Sequence, residues 1–201
     1  MANKTGNRLT VRTKQALITA YLELLQESPS ENIKISEICK RANLSRPTFY
    51  NHFQTKDEIL LSYLDEILEE MFKNFRKKQA EDNPFLSFNE AATNFFKLWK
   101  SKANLFALIK ANKVECLLIE KLKDHHLTTY HEAVAPLFPI HDEEILEYFT
   151  SHISYIFFSI LEEWMDKKMK RTPEEMGELL AILFNPLLIK PLSERYGRRL
   201  P

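Results

Sequence analysis

The stretch Ile35-Ser36-Glu37-Ile38-Cys39-Lys40-Arg41-Ala42-Asn43-Leu44-Ser45-Arg46-Pro47-Thr48-Phe49-Tyr50-Asn51-His52-Phe53-Gln54-Thr55-Lys56-Asp57-Glu58 holds a dense run of helix start and stop signals. A short helix is expected over about 36–42, with Ile35, Ile38, Cys39 and Ala42 turned inward. Asn43 follows, and Asn tolerates the left-handed backbone that closes a helix. Ser45 caps the next helix. Pro47 falls in its first turn, where a missing N–H costs nothing. That helix runs only to about Phe53. Thr55-Lys56-Asp57-Glu58 is a capping box, in which Thr55 caps and Glu58 reaches back. The helix it opens is long, with Leu60, Leu64, Ile67, Met71 and Phe75 as its apolar stripe, and is expected to reach about Lys78.

Before this stretch, residues 10–27 read as an amphipathic helix on Leu17, Tyr21, Leu24 and Leu25, ended by Ser28-Pro29-Ser30. A long helix, a short helix, a tight turn and a very short helix make a helix-turn-helix with a supporting helix. That layout places its short last element in a DNA major groove. After it, Asp82-Asn83-Pro84 is a break. The body reads as helices at about 85–101, 103–111, 114–134, 143–170 and 173–196. The last opens with a capping box, Thr172-Pro173-Glu174-Glu175, and Pro186 should kink or split it. Three Gly in 201 residues fit long helices and short links. The expected fold is all-α, with about nine helices: a three-helix head and a larger C-terminal helical bundle. Residues 1–56 form the head, helix four (56–80) connects, and residues 57–201 form the body.

Residues 35–58 closely resemble the DNA-binding signature of the tetracycline-repressor (TetR) family. The likeness lies in the Ile/Ala/Leu spacing, in the Ser-x-Pro-Thr-Phe-Tyr-x-His-Phe core at 45–53, and in the Thr-Lys-x-Glu at 55–58. It covers about residues 10–65. Asn43 stands where the family often has Gly, and Asn adopts the same backbone conformation. The resemblance implies that Tyr50 bonds a phosphate. It also implies that residues after about 80 bind an effector and dimerise through the last two long helices.

Within the head, Phe49 and Phe53 lie four apart and read as core. Arg46 and Thr48 are the candidates for reading bases, since Arg pairs bidentately with guanine and a Thr methyl meets the thymine methyl. Pro47 belongs to the same element. Lys56 and Ser36, each starting a helix, can meet phosphates beside N-terminal amides. Asn51 and His52 are within reach of bases or phosphates. Lys4 and Arg8 suit either an arm in the minor groove or a solvated tail.

The formal charge of zero hides an asymmetry. Residues 1–56 hold nine Lys/Arg against four acids, so the head carries +5 and the rest −5. An anionic partner is expected for the head alone. Cys39 and Cys116 make neither a disulfide framework nor a zinc cluster. The spacing of His125, His126, His131, His141 and His152 fits no metal site, and neither metal nor cofactor is expected. No phosphate loop, nucleophile elbow or paired acids suggest an enzyme. The polar N-terminus lacks a secretion signal, and the longest apolar clusters are too short for a membrane, so a cytoplasmic protein is expected.

The helices 143–170 and 173–196 are apolar over more than one face. One face can pack internally and the other can meet a twofold-related copy. Aromatic residues crowd the body, and Phe95, Trp99, Phe106, Tyr130 and Tyr155 are the candidates for lining a pocket. The function expected is a one-component regulator, of repressor type, that binds a palindromic operator as a homodimer under the control of an unknown small-molecule effector. The alternative is a DNA-binding protein whose body docks a partner protein in place of a small ligand.

Overall fold

The computed structural model describes residues 3–81, 86–136, 138–183 and 189–197, and among the described residues there is no strand. The helices are α1 (Asn3–Glu27), α2 (Ile35–Arg41), α3 (Arg46–Tyr50), α4 (Lys56–Glu81), α5 (Leu86–Ser101), α6 (Ala103–Ala111), α7 (Glu115–Thr129), α8 (Glu143–Asp166), α9 (Pro173–Leu183) and α10 (Ile189–Tyr196). The fold class is all-α, as expected. No helix among the described residues is long and apolar enough to cross a membrane.

The boundaries differ from the sequence reading in ways with local causes. α1 begins at Asn3, so Lys4 and Arg8 lie on helical backbone and not in a separate arm. α3 ends at Tyr50, because the chain tightens there: the His52 and Phe53 amides both donate to the Phe49 carbonyl, at 2.8 and 2.9 Å. The helix expected over 114–134 stops being α-helical at Thr129 and passes into a π turn, Tyr130–Val134. α8 ends at Asp166 because Lys168 and Met169 take left-handed backbone, φ 59° and 52°. The helix expected over 173–196 appears as α9 and α10; Pro186 and the break at 82–84 lie outside the described residues.

The buried line of α4 also departs from expectation. Leu60, Leu64, Leu68 and Phe72 are buried, while Ile67, Met71 and Phe75 are half-buried. A row of every fourth residue winds slowly round a straight helix. The core follows that row instead of the 3.6-residue average.

The chain forms two compact units: Met1–Glu66 with Ala107–Leu118, and Ile67–Phe106 with Ile119–Pro201. In the first, Leu17, Ile18, Tyr21, Ile38, Phe49, Ile59, Leu60 and Leu64 are almost wholly excluded from water. Ser30 sits among them as a polar node. Its N–H donates to Asn112 Oδ1 at 2.8 Å, its hydroxyl pairs with the Tyr21 hydroxyl at 2.9 Å, and its carbonyl accepts from Lys56 Nζ. All the polar groups of a buried serine are thereby satisfied.

In the second unit α5 packs on α9 at Gly177. A Cβ there would fall 2.1 Å from Thr93 Oγ1 and 2.9 Å from the Thr93 amide nitrogen. Glycine lets the two backbones close up. α9 opens as its sequence predicts: the Glu175 amide donates to Thr172 Oγ1 at 3.2 Å and the Thr172 amide to Glu175 Oε2 at 2.7 Å. Met176 and Leu180 then turn inward, and Leu179, Ile182 and Leu183 turn outward.

Candidate nucleic-acid interface

The turn between α2 and α3 forms as its residues dictate. Asn43 takes φ 53°, and beyond it the Leu44 amide reaches back to the Cys39 carbonyl at 2.9 Å. This closes α2 with a left-handed residue. Ser45 Oγ accepts from the Thr48 amide at 3.2 Å, capping α3, with Pro47 in its first turn. Glu58 reaches back from α4 as expected, but to the Gln54 amide at 2.7 Å, while its own amide donates to Thr55 Oγ1 at 3.2 Å.

α3 is anchored by Phe49 and Phe53, both buried, with ring centroids 6.1 Å apart. Lys14 of α1 lies over the Phe53 ring, 5.7 Å from its centroid. The anchor fixes which side of α3 faces outward. Arg46, Pro47, Tyr50 and Asn51 are exposed on it, and Ser36 is exposed at the start of α2. Thr48 and His52 are half-buried. The Tyr50 ring stands edge-on to Phe49 at 5.3 Å, which steadies its direction. Thr48 Oγ1 is tied to Ser45 Oγ at 2.7 Å, so its methyl is the part left to offer.

Lys56 is placed differently from the others. Its ammonium donates to the carbonyls of Ser30 and, at 3.2 Å, of Ile33, which leaves one of its three N–H groups. Arg41 is also engaged: it meets Glu27 in a fork, at 2.8 and 2.9 Å, and Glu23 at 3.3 Å. These carboxylates push the guanidinium pKa further up, and the hydrogen bond from Arg41 holds the Glu27 carboxyl below its ordinary value. Beside Arg41, the exposed cations among the described side chains of the head are Arg12, Lys34, Lys40 and Arg46.

Of the pocket candidates, Phe95, Trp99 and Phe106 come together in the second unit. Trp99 lies 6.4 Å from Phe95 and 5.8 Å from Phe106, and Phe95 lies 5.0 Å from Phe157. Tyr130 belongs to a separate cluster with Ile140 and Leu146, where its hydroxyl accepts from the Ile140 amide and donates to the Phe138 carbonyl. Tyr155 is 59% exposed on α8.

Two family models match the chain: one described as bacterial regulatory proteins of the tetR family, over residues 17–63, and one described as a transcriptional regulator C-terminal region, over residues 86–186. The chain belongs to the TetR family. Among its relatives, the transcriptional regulator EthR of Mycobacterium tuberculosis is 29% identical over 91 residues, 45% of this chain and 38% of that protein. DhaS of Lactococcus lactis, named as an operon activator, is 33% identical over 51 residues, 25% of this chain and 27% of that protein. The aligned part thus spans well under two thirds of these relatives. Solved structures agree in fold over most of the chain. A TetR-family regulator from Syntrophomonas wolfei matches with TM-score 0.59 and 18% identity, covering 90% of this chain and 95% of that one. The fatty acid degradation regulator FadR of Bacillus halodurans matches with TM-score 0.56 and 17% identity, covering 90% and 96%.

Sequence reasoning missed Asn112 and Ser30, which hold the first unit together. The one local signal was Asn112-Lys113 after an apolar run, a helix ending; Lys113 does take φ 56°. The partner of Asn112, 82 positions away, carries no signal in the sequence.

Proposed function

We propose that this TetR-family chain is a transcriptional regulator, and not a catalyst, that binds a palindromic operator as a homodimer and represses from it in the cytoplasm. The observation that carries the reading is the outward set Arg46, Tyr50 and Asn51 at α3, held by the buried Phe49 and Phe53, with Ser36 exposed at the start of α2. In this reading Arg46 and the Thr48 methyl read bases, and Tyr50 and Ser36 hold phosphates. Asn51 and His52 contact the DNA beside them, and Pro47 pre-sets the turn. Lys56 adds its remaining N–H to a phosphate while its other two hold the loop before α2. Two such heads occupy successive major-groove faces about one helical turn apart.

The dimer forms through α8 and α9, whose outward Tyr155, Leu179, Ile182 and Leu183 supply an apolar surface of the kind that pairs around a twofold axis. A small effector in the second unit biases α4, which is unbroken from Lys56 to Glu81, and so lowers operator affinity. Fluorescence anisotropy on the DNA upstream of the gene tests this. Binding should be saturable, sequence-selective and steeply salt-dependent, and should be lost in Arg46→Ala and Tyr50→Ala. Binding that ignores sequence, or survives both changes, rejects it.

A further inference from the structure

His126 sits on α7 with its ring edge-on to Phe72 of α4, at 5.2 Å, and 4.9 Å from Phe157 of α8. Its Nδ1 lies 2.9 Å from Ser154 Oγ. The single proton of that serine goes to the Thr150 carbonyl at 2.7 Å, and a carbonyl can only accept. Ser154 must therefore accept from Nδ1–H, which leaves the lone pair of the neutral ring on Nε2. This nitrogen is shut off from solvent and has no hydrogen-bond partner among the described residues. One turn further along α7, the Thr129 hydroxyl is in the same condition. Residues three apart on a helix are neighbours.

Three further observations narrow what would fill this spot. Burial pushes the His126 pKa down to about 3, with His125 adding to the effect, so the ring is an uncharged acceptor. Arg76, one turn past Phe72, faces two carboxylates, Glu69 at 3.0 Å and Glu132 at 2.7 Å, so no net positive charge invites an anion, although its Nη1 is also buried without a hydrogen-bond partner among the described residues. The chain next to Thr129 is the π turn, in which the Ala135 amide reaches the Tyr130 carbonyl at 2.8 Å. Such turns occur often at functional sites.

The two atoms belong to residues three apart on α7, so one hydroxyl placed between them would donate to Nε2 and accept from Thr129, beside the rings of Phe72 and Phe157 that lie against the imidazole. We propose that His126 and Thr129 are the polar anchor of the effector site, and that they hold the hydroxyl of a small, neutral aromatic alcohol of the phenol class. The proposal rests on the reading of the second unit as the sensing part.

The test is calorimetric titration of the full chain with phenol, anisole and benzoate. Anisole keeps the ring and loses the donor; benzoate replaces the hydroxyl with a charge. Phenol should bind at least about 10-fold tighter than anisole, as one lost hydrogen bond to a buried acceptor implies, and benzoate should not bind. The preference should vanish in His126→Phe and shrink in Thr129→Val. If His126→Phe fails to fold, the wild-type ratio and Thr129→Val decide. Equal binding of phenol and anisole, or binding of neither, overturns the proposal, and is the result expected if a buried water already serves both atoms. Operator binding in the same preparations separates the two readings. A chain that binds operator but not phenol refutes this inference alone. One that binds phenol but no operator refutes the regulator and leaves the site standing.

Discussion

The Asn112 side chain holds the backbone of Ser30 across 82 positions of sequence: its Oδ1 accepts from the Ser30 amide at 2.8 Å. Its Nδ2 donates to the carbonyls of Leu108, at 2.9 Å, and Leu25, at 3.3 Å. One amide thus serves three part-buried backbone groups. Asn112→Ala strands them, and a loss of about 1–3 kcal/mol is expected. Urea unfolding should show a lower midpoint at unchanged slope. Asn112→Asp should do no better, because it exchanges two donated hydrogen bonds for repulsion between carboxylate and carbonyls. A midpoint equal to wild type in both variants contradicts this role.

Gly177→Ala tests the contact of α5 with α9. The new Cβ would lie 2.1 Å from Thr93 Oγ1, which a rotamer change relieves, and 2.9 Å from the Thr93 nitrogen, which nothing but backbone movement relieves. A loss of about 1–3 kcal/mol is expected. Adding Thr93→Ala should restore only part of it. Full restoration would mean that the side chain alone sets the spacing.

Two arginines of the head should separate cleanly. Arg46→Ala should cost about 1–3 kcal/mol of operator binding and flatten selectivity at one base pair. Arg41→Ala should leave selectivity intact, since its guanidinium is occupied by Glu23 and Glu27 on α1. Its effect falls on stability and is small, because the ion pair is a third or more exposed and screened by solvent. Competition anisotropy with single-base operator variants distinguishes them. A selectivity change in Arg41→Ala would put that residue in the interface.

Acid should weaken the fold through His126. Its folded pKa, about 3, lies below the ordinary 6.5, so between these values the unfolded chain holds a proton that the folded chain does not. Stability from the neutral ring is complete above pH 6.5 and is lost as pH falls through that window, at up to about 1.4 kcal/mol per pH unit. Comparing wild type with His126→Gln from pH 7 to pH 5 isolates this from His125 and the carboxylates. Equal acid sensitivity in both would show that the ring is hydrated.

Ile182, 76% exposed on α9, tests the dimer. Ile182→Glu should leave the monomer folded and shift sedimentation to the monomer mass, because a charge buried without a partner opposes association. Operator affinity should fall with it. A dimer that survives this substitution does not pair through that face.

The head was legible because its signals are local. A serine cap, a proline in a first turn and an asparagine at a helix end each act on residues within a few positions, and Ser45, Pro47 and Asn43 all do as their chemistry dictates. What stayed hidden depends on distance. Lys56 reads as an exposed cation until its ammonium is seen on the carbonyls of Ser30 and Ile33. Tyr155 reads like Phe95 in a list of aromatics, yet one is exposed and the other has no exposed surface. Helical spacing gives both the same weight; only tertiary packing separates them. His126 was hidden for a further reason, since its tautomer follows from a serine on another helix and a carbonyl one turn behind that serine.

The compact unit that carries the helix-turn-helix is discontinuous in sequence, taking in Ala107–Leu118 along with the first sixty-odd positions. Anyone grafting this head onto a foreign sensor, or the reverse, inherits that discontinuity. A chimaera joined at residue 56 or 66 would carry Ser30 without Asn112. The natural seam for such engineering has three crossings, one in each of α4, α6 and α7, and a recombinant that respects all three keeps the serine's partner. Over evolutionary time the same bookkeeping would tie substitutions near residue 30 to those near residue 112, although the two lie on opposite sides of any cut that a linear reading of the chain would make.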